Sequence, residues 1–188
     1  MAETIRTFIA IPLPEHVIEA IGNIQNRIKK TGLTMRWVKP GNIHLTLKFL
    51  GDIRPEMVGP ITDCMRTCGN EYAPADLSSK GLGVFPGLKR PRVLWTGING
   101  ETDLLKAIQK RLDQSLGETG IPKDQRPFKG HLTLGRFKGH PDSKKLMAAL
   151  REFADFETGS FSADALHLYK SDLTPQGAVY SVLETISL

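Results

Sequence analysis

Only two cysteines, Cys64 and Cys68, occur in the 188 residues. That is too few for a disulfide framework, and a chain of this length does not need one. They are four apart rather than in a C-x-x-C pair, so they read as helix-face residues and not as a redox motif. No apolar run approaches the roughly 20 residues a membrane-spanning helix requires. The opening MAETIRTFIAIPLPEH has a short apolar stretch broken by proline. It lacks the basic lead and small-residue cleavage site of a signal peptide, so a cytoplasmic location is expected. There is no Walker A sequence, and Gly81-Leu82-Gly83 is followed by no helix, so no nucleotide cofactor is implied. Acidic residues are the minority: 20 Asp+Glu against 25 Lys+Arg leave a net charge of +5. That mild excess permits an anionic partner without demanding one.

At 40% hydrophobic and 24% charged, the composition is that of a globular protein. One domain over residues 1–188 is expected. Strands are expected at 4–11, 43–50, 75–85, 92–98, 131–137, 157–169 and 178–188, with a short extended piece at 35–38. Val17, Ile18, Ile21, Ile24 and Ile28 mark a first helix, opened near Pro14 and stopped at Thr31-Gly32. Further helices are expected at 55–68, 101–116 and 142–153, and a turn at Thr174-Pro175-Gln176-Gly177. Antiparallel-looking strands alternating with about four helices indicate an α+β fold.

The informative feature is a repeat. His44-Leu45-Thr46-Leu47 recurs unchanged as His131-Leu132-Thr133-Leu134, 87 positions on (44 to 131). Among five histidines such a match has a chance of about half a percent at ordinary residue frequencies. Strand alternation sends His44 and Thr46 to one face and Leu45 and Leu47 to the other, and likewise in the second copy. If two similar halves pack about a pseudo-twofold axis, two His–Thr pairs face one cleft. That layout suits chemistry at phosphorus: one imidazole takes a proton from the nucleophile, the other gives one to the leaving oxygen, and two hydroxyls bind the nonbridging oxygens. Zinc fits poorly, because it asks for three or more protein ligands and neither copy has H-x-x-x-H spacing or a Cys pair. A lone His-x-Thr on a strand is ordinarily structural; the duplication is what gives this one weight.

Three further residues are candidates for substrate binding. Lys48 continues the His44–Thr46 alternation and would add charge at the cleft rim. Arg136 is an odd number of residues from His131, so strict alternation places it on the wrong face unless a bulge intervenes. Arg92 belongs to the basic segment Lys89-Arg90-Pro91-Arg92, which could touch phosphates, while Phe85 and Trp95 beside it are expected in the core. His16, His140 and His167 are assigned no chemistry.

The sequence resembles the RNA 2′,3′-cyclic phosphodiesterases of the 2H phosphoesterase superfamily, also described as 2′-5′ RNA ligases. The likeness rests on the two HLTL motifs and on RTFIAIPLP, WVKPGNIHLTLKFLGD, GLGVFPGLKRPRVLWTGI, HLTLGRF and LYKSDLTPQGAVYSVLETISL. It implies a bilobal α+β fold, with two antiparallel sheets, helices on their outer faces and a central cleft. It also implies metal-free, cofactor-free opening of RNA 2′,3′-cyclic phosphate ends, tRNA fragments included, to 2′-phosphates, with reversible 2′-5′ ligation in some members. His44 then resembles the proton donor, His131 the proton acceptor, and Thr46 and Thr133 the phosphate-binding hydroxyls, with Arg136 near the phosphate. Gly130 departs from the family's usual proline before the second motif. A monomer is expected, since the repeat supplies both halves of the site. The alternatives are a non-catalytic RNA-end binder using the same cleft, or an enzyme acting on a small cyclic nucleotide or a 2′-5′ oligonucleotide.

Overall fold

A computed structural model describes residues 3–175 and 177–188. Gln176, in the expected Thr174–Gly177 turn, lies outside the described residues, as do Met1 and Ala2. The chain runs β1 (Ile5–Ile11), α1 (Glu15–Lys30), β2 (Arg36–Trp37), β3 (Leu45–Ile53), α2 (Val58–Glu71), β4 (Ala75–Phe85), β5 (Val93–Gly100), α3 (Thr102–Glu118), β6 (His131–Arg136), α4 (Ser143–Glu152), β7 (Phe161–Ala163), β8 (Ala165–Thr174) and β9 (Gly177–Ser187). The strands form two antiparallel sheets, β3-β1-β8-β9 and β2-β6-β5-β4-β7. The fold is α+β.

Helix α2 touches β8 and β9 of the first sheet, and α3 touches β3. Helix α1 crosses to the second sheet, where the buried Gln25 donates from Nε2 to the carbonyls of Leu134 and Val38, both at 2.9 Å. The Arg27 guanidinium lies 4.7 Å from the ring centre of Phe153, just past α4. Helix α3 also touches β4 of the second sheet, and α1, which follows the first strand of one sheet, packs on the other. The local signals act as chemistry requires. Asp142 caps α4, its carboxylate accepting from the N–H groups of Lys144 and Lys145 at 2.9 and 3.0 Å. Gly32, after α1, takes φ +79°, a left-handed conformation that stops the helix without steric cost.

One expected element divides. The strand expected at 157–169 yields β7, in the second sheet, and β8, in the first, with Asp164 between them. Its carbonyl accepts from Leu188 N–H at 2.8 Å. Periodicity runs through the break because both pieces alternate; only the pairing partners differ.

Ile9, Ile11, Leu45, Leu47, Leu166 and Leu168 are buried on the helix-facing side of the first sheet, and Leu132 and Leu134 in the second. Each contributes about 2 kcal/mol of hydrophobic stabilisation. Helix α2 comes so close to β9 that a Cβ at Gly69 would overlap the Ser187 carbonyl oxygen, a backbone atom that cannot swing aside. Gly69→Ala is therefore expected to destabilise by about 1–3 kcal/mol, despite alanine's better helix propensity. Chemical denaturation measures this; an unchanged midpoint would show that the two backbones separate freely.

Candidate active site

The faces turned away from the helices meet around one cleft of about 540 Å³, lined by both histidines, both threonines and Arg136. His44, immediately before β3, and His131, the first residue of β6, reach it from different sheets. Every charged residue in the lining is a cation: Arg6, Arg36, Lys39 and Arg136. Among the described residues none of the four is in an ion pair. Neither Thr46 nor Thr133 gives its hydroxyl to another described residue. Unpaired cations and free hydroxyls around a concave site suit an anion with several oxygens.

The two copies share a backbone irregularity that alternation cannot reveal. Against β1, Ile9 pairs with Lys48 and Ala10 with Thr46, so Leu47 is an extra residue. Against β5, Leu94 pairs with Gly135 and Trp95 with Thr133, so Leu134 is extra. Both bulges fall on the fourth letter of HLTL, and each reverses the alternation beyond it. In β6 this returns Arg136 to the cleft. In β3 it corrects the expectation for Lys48. That residue turns inward and is 2% exposed, with its ammonium on Asp113 Oδ1 at 2.5 Å, Asp124 Oδ1 at 2.9 Å and the Pro122 carbonyl at 2.8 Å. The place expected for Lys48 falls to Phe49, 64% exposed and lining the cleft. Phe49 and Arg136 thus hold equivalent positions in the two halves.

Arg92 stands apart from the cleft. It lies in a separate hollow with Arg90 and His140, because the residue of β5 paired with Arg136 is Val93 and Arg92 falls one step beyond. Phe85 and Trp95 are half-buried and sit against a histidine instead of filling the core. The Phe85 ring meets His131 edge-on at 4.8 Å, and Trp95 lies 4.9 Å from Phe85. A Cβ at Gly83 would overlap the Trp95 ring, so glycine is what admits the indole there. His44 has its own aromatic surroundings: Phe8 stacks at 4.5 Å and Tyr180 stands edge-on at 5.3 Å. Tyr169 stacks behind Phe8 at 5.1 Å, and its hydroxyl meets His167 Nδ1 at 3.0 Å. Sequence reasoning missed Phe8, Phe49, Tyr180 and the three cations Arg6, Arg36 and Lys39. One signal was present: the 87-residue offset that relates the histidines also relates Phe8 to Trp95.

Burial sets the protonation of both imidazoles. Loss of solvent pushes His44 down to about 4, opposed by a hydrogen bond to the Asn42 backbone. His131 is lowered mainly by desolvation and further by the charges of Lys129 and Arg136, against the opposing bond from its Nδ1 to the Lys129 carbonyl at 2.7 Å. Each imidazole bonds to the backbone two residues upstream. For His131 this places the proton on Nδ1 and leaves the Nε2 lone pair unused among the described residues. Among the described residues no group of three or more His, Cys, Asp or Glu side chains is placed to hold a metal ion.

A molecule that sets two matched His-x-Thr strands from two sheets into one cation-lined cleft is built as a 2H phosphoesterase. The profile of the LigT like Phosphoesterase family matches twice, over residues 11–95 and 97–180, one motif in each. The chain belongs to this family, the LigT-like RNA 2′,3′-cyclic phosphodiesterases of the 2H superfamily. The RNA 2′,3′-cyclic phosphodiesterase of Methanothermobacter thermautotrophicus is 34% identical over 185 residues, covering 98% of this chain and 99% of that one. That of Thermotoga maritima is 35% identical over 181 residues, covering 95% and 92%. A crystal structure of a Thermus thermophilus protein aligns with TM-score 0.79 at 28% identity, over 97% of each chain. Escherichia coli LigT complexed with 3′-AMP shares the fold, with TM-score 0.75 at 24% identity over 99% of each chain.

Proposed function

We propose that this protein hydrolyses RNA 2′,3′-cyclic phosphate ends to 2′-phosphates, with His44 and His131 exchanging protons across a single phosphorus. The observation that carries this is the convergence of both His-x-Thr pairs on one cleft whose charged lining is wholly cationic. Neutral His131 accepts a proton from water as the water oxygen bonds to phosphorus. The P–O3′ bond breaks, and protonated His44 supplies the proton that the departing 3′ oxygen needs. Thr46 and Thr133 donate to the nonbridging oxygens, and Arg136 offsets their charge. The phosphate remains on O2′, and solvent exchange resets the two imidazoles. A 5′-hydroxyl in place of water gives the 2′-5′ ligation that the family's other name describes.

Burial lowers both imidazoles, His44 to about 4, so near neutral pH both rest neutral in the free enzyme and the donor must gain its proton with substrate bound. Assigning the donor to His44 and the acceptor to His131 follows the family resemblance. For the free enzyme, both imidazoles titrate below 6.5, so kcat/KM should follow a bell centred on the acid side of 6.5. Bound phosphate adds negative charge that favours both imidazolium forms, so the kcat bell should move to higher pH. Rate profiles at low and saturating substrate check this; a kcat/KM bell centred above about pH 7 would contradict it.

Phe49 is the exposed ring in the cleft and serves as a stacking surface for the terminal base. Phe49→Ala is expected to raise KM about tenfold with kcat nearly unchanged, since base stacking is worth about 1–3 kcal/mol. The reaction is tested by product analysis on an RNA oligonucleotide with a 2′,3′-cyclic phosphate, in EDTA. A 2′-phosphate is the expected product. A 3′-phosphate would reverse the regiochemistry, and binding without turnover would make the protein an RNA-end binder.

A further inference from the structure

Arg92 lies outside the cleft, and its surroundings form a second concave basic site. The loop between β4 and β5 meets the loop after β6 around a hollow of about 270 Å³ lined by Arg90, Pro91, Arg92, Gly139 and His140. Backbone hydrogen bonds pin the walls. Arg90 N–H donates to the Gly87 carbonyl at 3.2 Å, Arg92 N–H to that of Phe85 at 2.7 Å, and Phe137 N–H to that of Arg92 at 2.9 Å. Pro91 is buried between the two arginines, which holds their backbone in place while both side chains stay exposed. No carboxylate lines the hollow, and among the described residues neither arginine is in an ion pair. Asp142, the acid nearest His140 in sequence, is committed to the first turn of α4. A Cβ at Gly139 would meet nothing within 4 Å, so the approach is open on that side.

Location links the hollow to the cleft. Val93, adjacent to Arg92, pairs directly with Arg136, a cleft residue. Paired strands lie about 5 Å apart. The hollow therefore begins one residue beyond the last cation of the cleft, around the end of the β2-β6-β5 sheet. A chain whose terminal phosphate sits between the histidines has its next charges to place, and two unpaired guanidiniums with fixed backbones stand beside the exit. Guanidinium forks match phosphate oxygens in geometry as well as charge.

We propose that this hollow is a second phosphate subsite, holding a backbone phosphodiester of the RNA on the 5′ side of the end bound in the cleft. This rests on the reading of the cleft as an RNA-end site and extends it. The substrate is an oligonucleotide, and a cyclic mononucleotide fills the cleft without reaching the hollow.

The test compares the full-length protein with the double variant Arg90→Ala/Arg92→Ala. Binding of a 3′-phosphorylated RNA decamer is followed by anisotropy over a salt series. Turnover is measured on a cyclic-phosphate decamer and on a cyclic mononucleotide. The variant is expected to bind the decamer about tenfold more weakly, and to lose about 0.7 from the slope of log K against log salt for the one phosphate no longer neutralised. Mononucleotide turnover should stay at the wild-type rate. Unchanged decamer affinity and slope would overturn the subsite, and so would equal losses on decamer and mononucleotide. Inorganic phosphate bound at the hollow without competition from the decamer would make it a free-anion site, which also overturns the RNA assignment. If wild-type protein turned over neither substrate, the reading of the cleft would fall instead, while decamer binding would still report on the hollow.

Discussion

Replacing His131 with alanine lowers kcat on an RNA 2′,3′-cyclic phosphate by about 10²–10⁴-fold, the usual cost of losing a positioned proton-transfer group. The fold should tolerate the change. His131 is only half-buried, and its hydrogen bond among the described residues runs to the Lys129 carbonyl, which water can replace. His44→Ala should lose as much activity but also some stability, because its ring sits among Phe8, Tyr169 and Tyr180. Since the imidazoles act on the same phosphorus, the double variant should be little worse than the worse single one. Steady-state rates with parallel thermal unfolding separate the two effects. Single variants within about threefold of wild type would exclude the paired-imidazole mechanism.

Lys48→Ala is expected to cost about 3 kcal/mol of stability, the scale for removing one partner of a buried ion pair. The ammonium is buried, and Asp113, its nearest carboxylate, is 16% exposed in the side chain. Asp124, at 45%, can recover hydration and softens the loss. The ammonium also ties β3, which carries Thr46, to the Pro122–Asp124 loop that leads towards His131. The variant should therefore lose activity beyond its unfolded fraction. Lys48→Met/Asp113→Asn removes the orphaned charge and should recover most of the stability. Denaturant titration of single and double variants measures this. If Lys48→Ala kept wild-type stability while its KM rose, Lys48 would be the cleft residue that simple alternation suggests.

The fate of Lys48 shows where sequence reading reaches its limit here. Alternation places His44, Thr46, His131 and Thr133 because each pair lies before its bulge. It fails beyond residues 47 and 134, because a bulge depends on pairing with another strand and no local composition announces it. Lys48 and Phe49 accordingly exchange sides. Arg136 was legible only as a conditional, resolved by the extra residue at Leu134. The helices were readable from their apolar stripes, but not that α1 would cross to the opposite sheet, where Gln25 meets Leu134. Arg6, Arg36 and Lys39 look like ordinary surface cations in the sequence. Only the approach of distant segments makes them one lining.

The proposed reaction requires two imidazoles to share one phosphoryl group. The most direct measurement is ¹⁵N NMR of the histidine rings during titration with a nucleoside 2′-phosphate. His44 and His131 should shift together, with one dissociation constant, both towards the protonated form, while His16 stays still. A response from only one of the two, or separate responses with unequal constants, would contradict it.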